Sequence, residues 1–289
     1  MQKFSRILAP IAFSARCEGA VQYAEALACH FHSELTLLHV IMPLQTYGFP
    51  DALAVAPELV DDTVAAGKAQ LDLFLAEGLK GINVKREVLE GEPAQTIVDY
   101  ANDGKFDLIV MPTHGYGPFR RFLLGSVTAK VLHDAHCPVW TGPHLENAPA
   151  YPKISFGKVL AAIDLGPDSR AVLEWAAGFA REYGSEFAVV HSIPSSTVSL
   201  GGIYFDPEWS AQLKNEARER ISFLLGEMGV KGEISVQAGD APAVVRAVAD
   251  EMSANLLVIG RGGHTALMGR LRTNAYAILR ESPCPVAAI

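Results

Sequence analysis

The sequence predicts an α/β protein that contains two tandem copies of one domain, each a five-stranded parallel, doubly wound sheet flanked by helices. Two observations predict this class. First, residues 7–41 align with residues 159–193 without a gap. Second, short apolar segments alternate with segments of helical periodicity in each copy, and strands separated by helices form parallel sheets.

The internal repeat continues along the chain in the same order. The segment "EGEPAQTIVDYA" (90–101) resembles "AGDAPAVVRAVA" (238–249), "FDLIVMPTHG" (106–115) resembles "ANLLVIGRGG" (254–263), and "HCPVWTG" (136–142) resembles "PCPVAAI" (283–289). A stretch rich in Pro, Gly and Asn separates the copies and is typical of a linker. We therefore expect domain 1 at 1–143, a linker at 144–156 and domain 2 at 157–289.

The elements of the first copy follow from their patterns. "RILAPI" and "LTLLHVI" are apolar strands, "INVKREVL" is a half-buried strand, and "DLIVM" and "CPVW" complete the sheet. Helices are expected after strand one, over roughly 58–79, from "GEP" with Pro93 near the first position, and from Ser126 to Asp134. The apolar residues of the first helix are Ala20, Ala24, Leu27, Ala28 and Phe31, and those of its counterpart are Val172, Trp175, Ala176, Phe179, Ala180 and Tyr183.

Composition limits the classes of partner. The net charge of −8 argues against non-specific nucleic-acid binding. No apolar stretch approaches the roughly 18–20 residues of a membrane helix, and the N-terminus lacks a signal-peptide pattern. The four cysteines form no CxxC pair, which is typical of free thiols in a reducing compartment. We expect a cytoplasmic protein without nucleic-acid or membrane partners.

The segment "PTHGYGPFRRFLLGS" (112–126) follows the fourth strand of the first copy. Its glycines would let the backbone approach a ligand, and a helix N-terminus follows, as a phosphate site requires. A tight crossover loop needs the same features. In doubly wound sheets the loops after strands one and four meet at the switch point, where ligands bind.

Both halves resemble the universal stress protein family in its tandem form, through the opening strand and helix, "LLHVI", "EGEPAQTI", the glycine loop and the closing "CPV". The resemblance implies a Rossmann-like fold of the adenine-nucleotide alpha-hydrolase type and a non-catalytic stress responder. It also implies that ATP, where bound, lies along a loop of the form Gly, two residues, Gly, nine residues, Gly, then Ser or Thr. An Asp at the end of strand one then lies near the adenosine.

The second half matches part of this pattern. Asp164 stands at the strand-one position, and Gly260 and Gly263 match the two early glycines. Thr273 and Asn274 replace the Gly-Ser pair, although both residue types cap helices well. The resemblance thus implies a nucleotide site made by Asp164, Gly260, Arg261, Gly263, Thr273 and Asn274, with ATP and accompanying Mg²⁺ as candidate ligands.

The first half matches the complementary part. Pro112 replaces the first glycine and Ala12 replaces the Asp, whereas Gly125 and Ser126 match fully. Its candidate site residues are His114, Gly115, Gly125 and Ser126. An anion in this half would bind at Gly125 and Ser126, because Pro112 has no N–H to donate. In the alternative, Gly125 is only a turn with positive φ.

The sequence leaves three candidate functions open. The first is adenine-nucleotide binding in at least one half, with the second half favoured. The next is an interaction module of the same fold that binds no nucleotide. The third is an alpha-hydrolase-type enzyme, but "AFSARC" and "DLGPDS" lack the glycine loop that such an enzyme carries after strand one. We expect no catalytic residues.

The remaining patterns favour structural interpretations. His39 and His191 occupy matching positions in ordinary strands, and "CHFH" and "HDAHC" lack the complete spacing of a zinc site. The loops 42–57 and 194–207 are interpreted as surface loops, with a lid or docking role as the alternative. The final apolar strands would pair the two halves about a pseudo-twofold axis, and a homodimer is a further expectation.

Overall fold

In the computed structural model, the described residues are 3–43, 57–113, 124–142, 148–149, 151, 153–194, 207–262 and 273–289. The chain forms two compact units. One contains residues 3–141 with 145–154, and the other contains residues 155–289 with 1–2 and 142–144. The long loops before the second helix of each half lie mostly outside the described residues, as do Gly263, His114 and Gly115.

The first half alternates strands and helices as predicted. Its elements are β1 (Arg6–Ile11), α1 (Ala15–Phe31), β2 (Glu34–Ile41), α2 (Pro57–Leu73), β3 (Val84–Glu90), α3 (Pro93–Asp103), β4 (Leu108–Val110), α4 (Ser126–Asp134) and β5 (Val139–Thr141). The strands pair in parallel in the order β3-β2-β1-β4-β5. The strand order therefore reverses beside β1.

The second half repeats this architecture. Its elements are β6 (Lys158–Ala162), α5 (Ser169–Tyr183), β7 (Glu186–Ile193), α6 (Pro207–Glu227), β8 (Glu233–Ala238), α7 (Ala241–Glu251), β9 (Leu256–Ile259), α8 (Thr273–Glu281) and β10 (Val286–Ala288). Its strands are parallel in the order β8-β7-β6-β9-β10. The predicted fold class, two doubly wound α/β domains in tandem, is confirmed.

The helix α1 forms where the sequence places its signals. Ser14 is the N-cap, and its side chain accepts a hydrogen bond from the backbone N–H of Cys17 at 3.4 Å. All five apolar residues predicted for the inner face are buried. The helix ends at His32, whose φ of 55° is left-handed. At the corresponding end of α5, Gly184 has a φ of 66°.

Matching anchors hold β1 and β6 in the two halves. The Ser33 hydroxyl donates to the carbonyl of Phe4 at 2.6 Å, and Ser185 donates in the same way to Phe156. Asp107 accepts from the N–H of Arg6 at 2.9 Å, as Asn255 does from the N–H of Lys158 at 2.9 Å. These bonds fix the switch-point strand against its neighbours in each half.

The helix α2 is shorter than the predicted 58–79, because it ends at Leu73. The guanidinium of Arg86, on β3, donates to the carbonyls of Leu71 at 3.0 Å and Phe74 at 3.3 Å. Leu75 then adopts a φ of 50°. The rest of the predicted helix, residues 74–79, therefore forms turns, and a side chain of the neighbouring strand satisfies carbonyls at the end of α2.

Across the described residues, no helix combines the length and the apolar character that crossing a membrane requires.

Candidate functional site

Each half has a cavity at its switch point, where the loops after the first and fourth strands converge. The cavity of the second half has a volume of about 250 Å³, and that of the first half about 310 Å³. Both lie outside the carboxyl ends of the strands, where doubly wound sheets bind ligands. We call them the second cavity and the first cavity.

Asp164 lies in the second cavity, two residues after the end of β6. Its Oδ1 accepts hydrogen bonds from the N–H of Gly166 at 2.8 Å and from the Ser169 hydroxyl at 3.3 Å. A Cβ at Gly166 would lie 2.8 Å from this same oxygen, so a larger residue would displace the carboxylate. The loop and the first turn of α5 therefore orient Asp164.

The glycine loop after β9 forms the opposite wall. Gly260 and Gly262 both line the second cavity, and Gly262 has a φ of 80°, which favours glycine. A Cβ on Gly260 would lie 3.3 Å from Cγ2 of Val172, so the loop packs tightly against α5. The N–H of Arg261 donates to the carbonyl of Ile289 at 3.0 Å, which ties this loop to the C-terminus.

The N-terminus of α8 completes the second cavity. Thr273 is the first residue of this helix, and Asn274 and Ala275 line the cavity. The first turn of a helix carries unpaired N–H groups and a positive dipole end, which attract anions. Three predicted residues, Asp164, Gly260 and Asn274, thus lie around one cavity. Arg261 is described but is not among its described lining residues.

Several lining residues of the second cavity were not singled out from the sequence. They are Asp168, Ser169, Ser192 and Gly262. The repeat contains a signal for Ser169, because it aligns with Cys17 and follows the predicted Asp164 by five residues. Ser192 is the second-last residue of the second strand of its half, at the same sheet edge as the other loops.

Different chemistry surrounds the first cavity. Ala12 occupies the position of Asp164, and Cys17 that of Ser169. The Cys17 sulfur accepts from the N–H of Ala12 at 3.3 Å and from the Ser14 hydroxyl at 3.4 Å. In this loop a thiol therefore accepts the backbone hydrogen bond, whereas in the second half a carboxylate does.

Pro112 and Gly125 also line the first cavity. The Pro112 carbonyl accepts from the Thr128 hydroxyl at 2.9 Å. Gly125 is the N-cap of α4 with a φ of −62°, and its N–H donates to the carbonyl of Thr113 at 2.8 Å. The alternative of a turn with positive φ at Gly125 is therefore wrong. Ser126 is exposed and lines the cavity.

The two paired histidines line the two cavities. Nδ1 of His39 lies 2.9 Å from the carbonyl oxygen of Ile11, and Nδ1 of His191 lies 2.8 Å from that of Ile163. Because a carbonyl oxygen only accepts, each Nδ1 carries the proton in this hydrogen bond. Both rings thus join the ends of the first two strands of their half.

The residue after each strand-one position adopts a left-handed conformation. Phe13 has a φ of 51°, and its counterpart Leu165 has a φ of 58°. The Phe13 ring lies 4.5 Å from the ring of His39 and 5.8 Å from that of Phe74, measured between centroids. An aromatic cluster therefore surrounds the loop of the first half.

Both halves match the universal stress protein family, over residues 3–141 and 155–289. A universal stress protein of Methanocaldococcus jannaschii is 32% identical over 138 residues, which cover 47% of this chain and 80% of that protein. One from Mycobacterium bovis is 27% identical over 280 residues, which cover 94% of this chain and 91% of that protein. The latter match spans both halves.

One solved structure shows the same fold. A universal stress protein from Archaeoglobus fulgidus has a TM-score of 0.69 at 20% identity and covers 99% of this chain and 96% of its own. Another from the same organism, in complex with dAMP, is 27% identical with a TM-score of 0.35 and covers 47% of this chain and 98% of its own. Because the family match covers both repeats, the chain belongs to the universal stress protein family and carries two of its domains in tandem.

Proposed function

We propose that the second cavity binds an adenine nucleotide, with ATP as the favoured ligand, and that the chain acts as a non-catalytic stress responder. One observation carries the proposal. A carboxylate after the first strand, a glycine loop after the fourth and a helix N-terminus line one cavity, through Asp164, Gly260 and Asn274. The carboxylate would bind the ribose, and the glycine loop would let the phosphates approach the backbone. The helix N-terminus would stabilise the negative charge of the phosphates.

The lining suggests how the nucleotide lies. The phosphates would lie along the glycine loop toward α8, where backbone N–H groups and the helix dipole attract negative charge. The carboxylate of Asp164 would accept hydrogen bonds from ribose hydroxyls. Apolar side chains of Val172, Val190 and Ile278 would contact the base.

The carboxylates of Asp164 and Asp168 offer the oxygen ligands that Mg²⁺ prefers, alongside the phosphates of ATP. Within the described residues, no three His, Cys, Asp or Glu side chains group as a metal site of their own. Any Mg²⁺ would therefore arrive with the nucleotide and partly neutralise its phosphates.

A binding role agrees with the hydrogen bonds in the second cavity. The Ser169 hydroxyl donates to Asp164, and Nδ1 of His191 bonds the carbonyl of Ile163. The carbonyl of Ile163 occupies Nδ1 of His191, so this nitrogen is not paired with a hydroxyl nucleophile. The four cysteines are free thiols, which supports the proposal of a reducing, cytoplasmic location.

A nucleotide-independent interaction module is the second candidate. The first half favours it, because Ala12 and Pro112 replace two residues that ATP-binding members use. The predicted pseudo-twofold pairing of the halves and a homodimer also stay predictions from the sequence. Small-angle scattering and sedimentation of the full chain would test them.

The proposal is tested by thermal melting and calorimetric titration of the full chain with Mg-ATP. Ligand at a hundred times its dissociation constant adds about 2.7 kcal/mol to the free energy of unfolding. We expect one tight site per chain. Asp164→Ala should weaken ATP binding about 10- to 100-fold, since hydrogen bonds to a charged group contribute about 1.5–3 kcal/mol.

Asp103→Ala is the matched control, because Asp103 is exposed at the end of α3 and is not among the described lining residues of the first or the second cavity. It should leave the ATP affinity unchanged. An unshifted melting temperature with Mg-ATP, or equal affinities for the Asp164→Ala and Asp103→Ala variants, would contradict the nucleotide proposal and favour the interaction module.

A further inference from the structure

The first cavity lacks a polar group of the second at four matching positions. Ala12 replaces Asp164, Cys17 replaces Ser169, Val40 replaces Ser192 and Pro112 replaces Gly260. Each change removes a charge, a hydroxyl or a backbone donor from the lining. The cavity is nevertheless retained, with a volume of about 310 Å³, at the lower end of the range of small-molecule sites, roughly 300–1,000 Å³.

Polar groups near the first cavity already have partners within the protein. The N–H of Ala12 bonds the Cys17 sulfur, and the carbonyl of Ile11 bonds the His39 ring. The carbonyl of Pro112 accepts from Thr128. A ligand would therefore meet few unsatisfied donors or acceptors at these strand ends, and no carboxylate is among the described lining residues of this cavity.

Most of the other described lining residues are apolar. Ile11, Ile97 and Met111 are 4–5% exposed and all line the cavity, with Leu38 and Val40 beside them. Ser126 adds an exposed hydroxyl at the start of α4. Apolar walls with few polar groups are typical of sites for uncharged organic molecules.

We propose that the first cavity binds a small uncharged molecule with an aromatic or aliphatic body. This site goes beyond the nucleotide site of the second half and does not depend on it. The chain would then bind two ligands of different chemistry at equivalent places in its two domains.

The test uses the full chain and N-phenyl-1-naphthylamine, a neutral dye whose fluorescence rises in apolar surroundings. We expect saturable binding of one dye per chain. Ala12→Asp should weaken dye binding at least tenfold, because it adds a carboxylate to the apolar lining. Val40→Ser, at a half-buried position, should weaken it about threefold and serves if Ala12→Asp fails to fold.

Ala69→Asp is the matched control, because it makes the same substitution at an exposed position of α2. It should leave dye binding unchanged, and Mg-ATP should not displace the dye. The proposal is overturned if the dye does not bind saturably, if Val40→Ser and Ala12→Asp in folded protein both bind it as wild type does, or if Mg-ATP displaces it fully. The first two results do not bear on ATP binding by the second cavity, which titration measures separately.

Discussion

The two cavities share a backbone frame and differ in the side chains that face a ligand. Both frames keep the histidine–carbonyl bond between the first two strands and the left-handed residue after strand one. The second half orients a carboxylate, Asp164, by a hydroxyl, whereas the first half places the Cys17 thiol against a backbone N–H. The contacts that maintain the fold are therefore separable from those that would select a ligand.

The largest effect on ATP binding is expected from a bulky side chain in the glycine loop of the second cavity. Gly262→Val places a β-branched side chain at a φ of 80° on the cavity wall. We expect ATP affinity to fall about 100-fold or more, because the added side chain blocks the approach of the phosphates to the loop. The melting temperature should also fall, since a left-handed backbone costs a residue with a Cβ about 1–2 kcal/mol. Calorimetric titration and thermal melting measure both effects.

Gly226→Ala is the control for that loss. Gly226 lies in α6, and a Cβ there would meet no atom within 4 Å. It should raise stability by about 0.5–1 kcal/mol without changing ATP affinity. Undiminished ATP binding in folded Gly262→Val would show that the glycine loop does not contact the ligand.

A second experiment asks whether the first half retains any anion site. In the Asp164→Ala background, ATP binding that persists at high concentration should arise at Gly125 and Ser126, and Gly125→Val should abolish it. Because φ of Gly125 is −62°, valine fits the backbone there, and the melting temperature should change little. Residual titration heat that survives this double substitution in folded protein would disprove the assignment.

A smaller effect is expected from exchanging the residues that contact the strand-one loop. Ser169→Cys replaces the hydroxyl that donates to Asp164 with a thiol, which is a weak donor. ATP affinity should fall about two- to fivefold, which corresponds to roughly 0.5–1 kcal/mol. The reciprocal Cys17→Ser should leave ATP affinity unchanged. A larger loss from Cys17→Ser than from Ser169→Cys would reverse the roles of the two cavities.

The smallest effect concerns the helix that begins at each cavity. At the end of α4, hydrogen bonds from His133 lower the pKa of Asp134, with Lys130 contributing, whereas Glu281 at the matching end of α8 accepts from Arg280. A lowered pKa adds stability above the ordinary value of 3.8, and this is lost as the pH falls through the lower folded value.

Asp134→Asn should therefore cost less than about 1 kcal/mol at pH 7, and the difference from wild type should shrink toward pH 3. Urea unfolding at both pH values measures it. An equal cost at the two pH values would show that the carboxylate charge does not stabilise α4. Asp103→Asn, at an exposed helix end, is the control.

The fold class could be predicted from the sequence, because the internal repeat and the hydrophobic periodicity are both visible along the chain. The residue at which α2 ends could not be predicted, because the Arg86 side chain of a neighbouring strand binds carbonyls at the end of this helix. The bond could not be read from spacing, because it joins two elements that only the folded sheet brings together.

The candidate site was predicted where a chain-local motif exists. Asp164, Gly260 and Asn274 follow strand ends or begin a helix, and all three line the second cavity. Asp168 and Ser192 carry no such motif, since the turn of the α5 N-terminus and the pleat of β7 decide whether they face the cavity. The φ of Gly125 was also open, because glycine tolerates both signs.

The left-handed residue after strand one affects the heat-capacity change and the entropy of ligand binding. In the first half, the Phe13 ring packs against His39 and Phe74, so the protein orders this loop before a ligand arrives. A molecule that enters the first cavity would bury apolar surface and would not have to order the loop. Its association should show a negative heat-capacity change with little opposing loss of chain entropy, and Phe13→Ala should make that entropy less favourable.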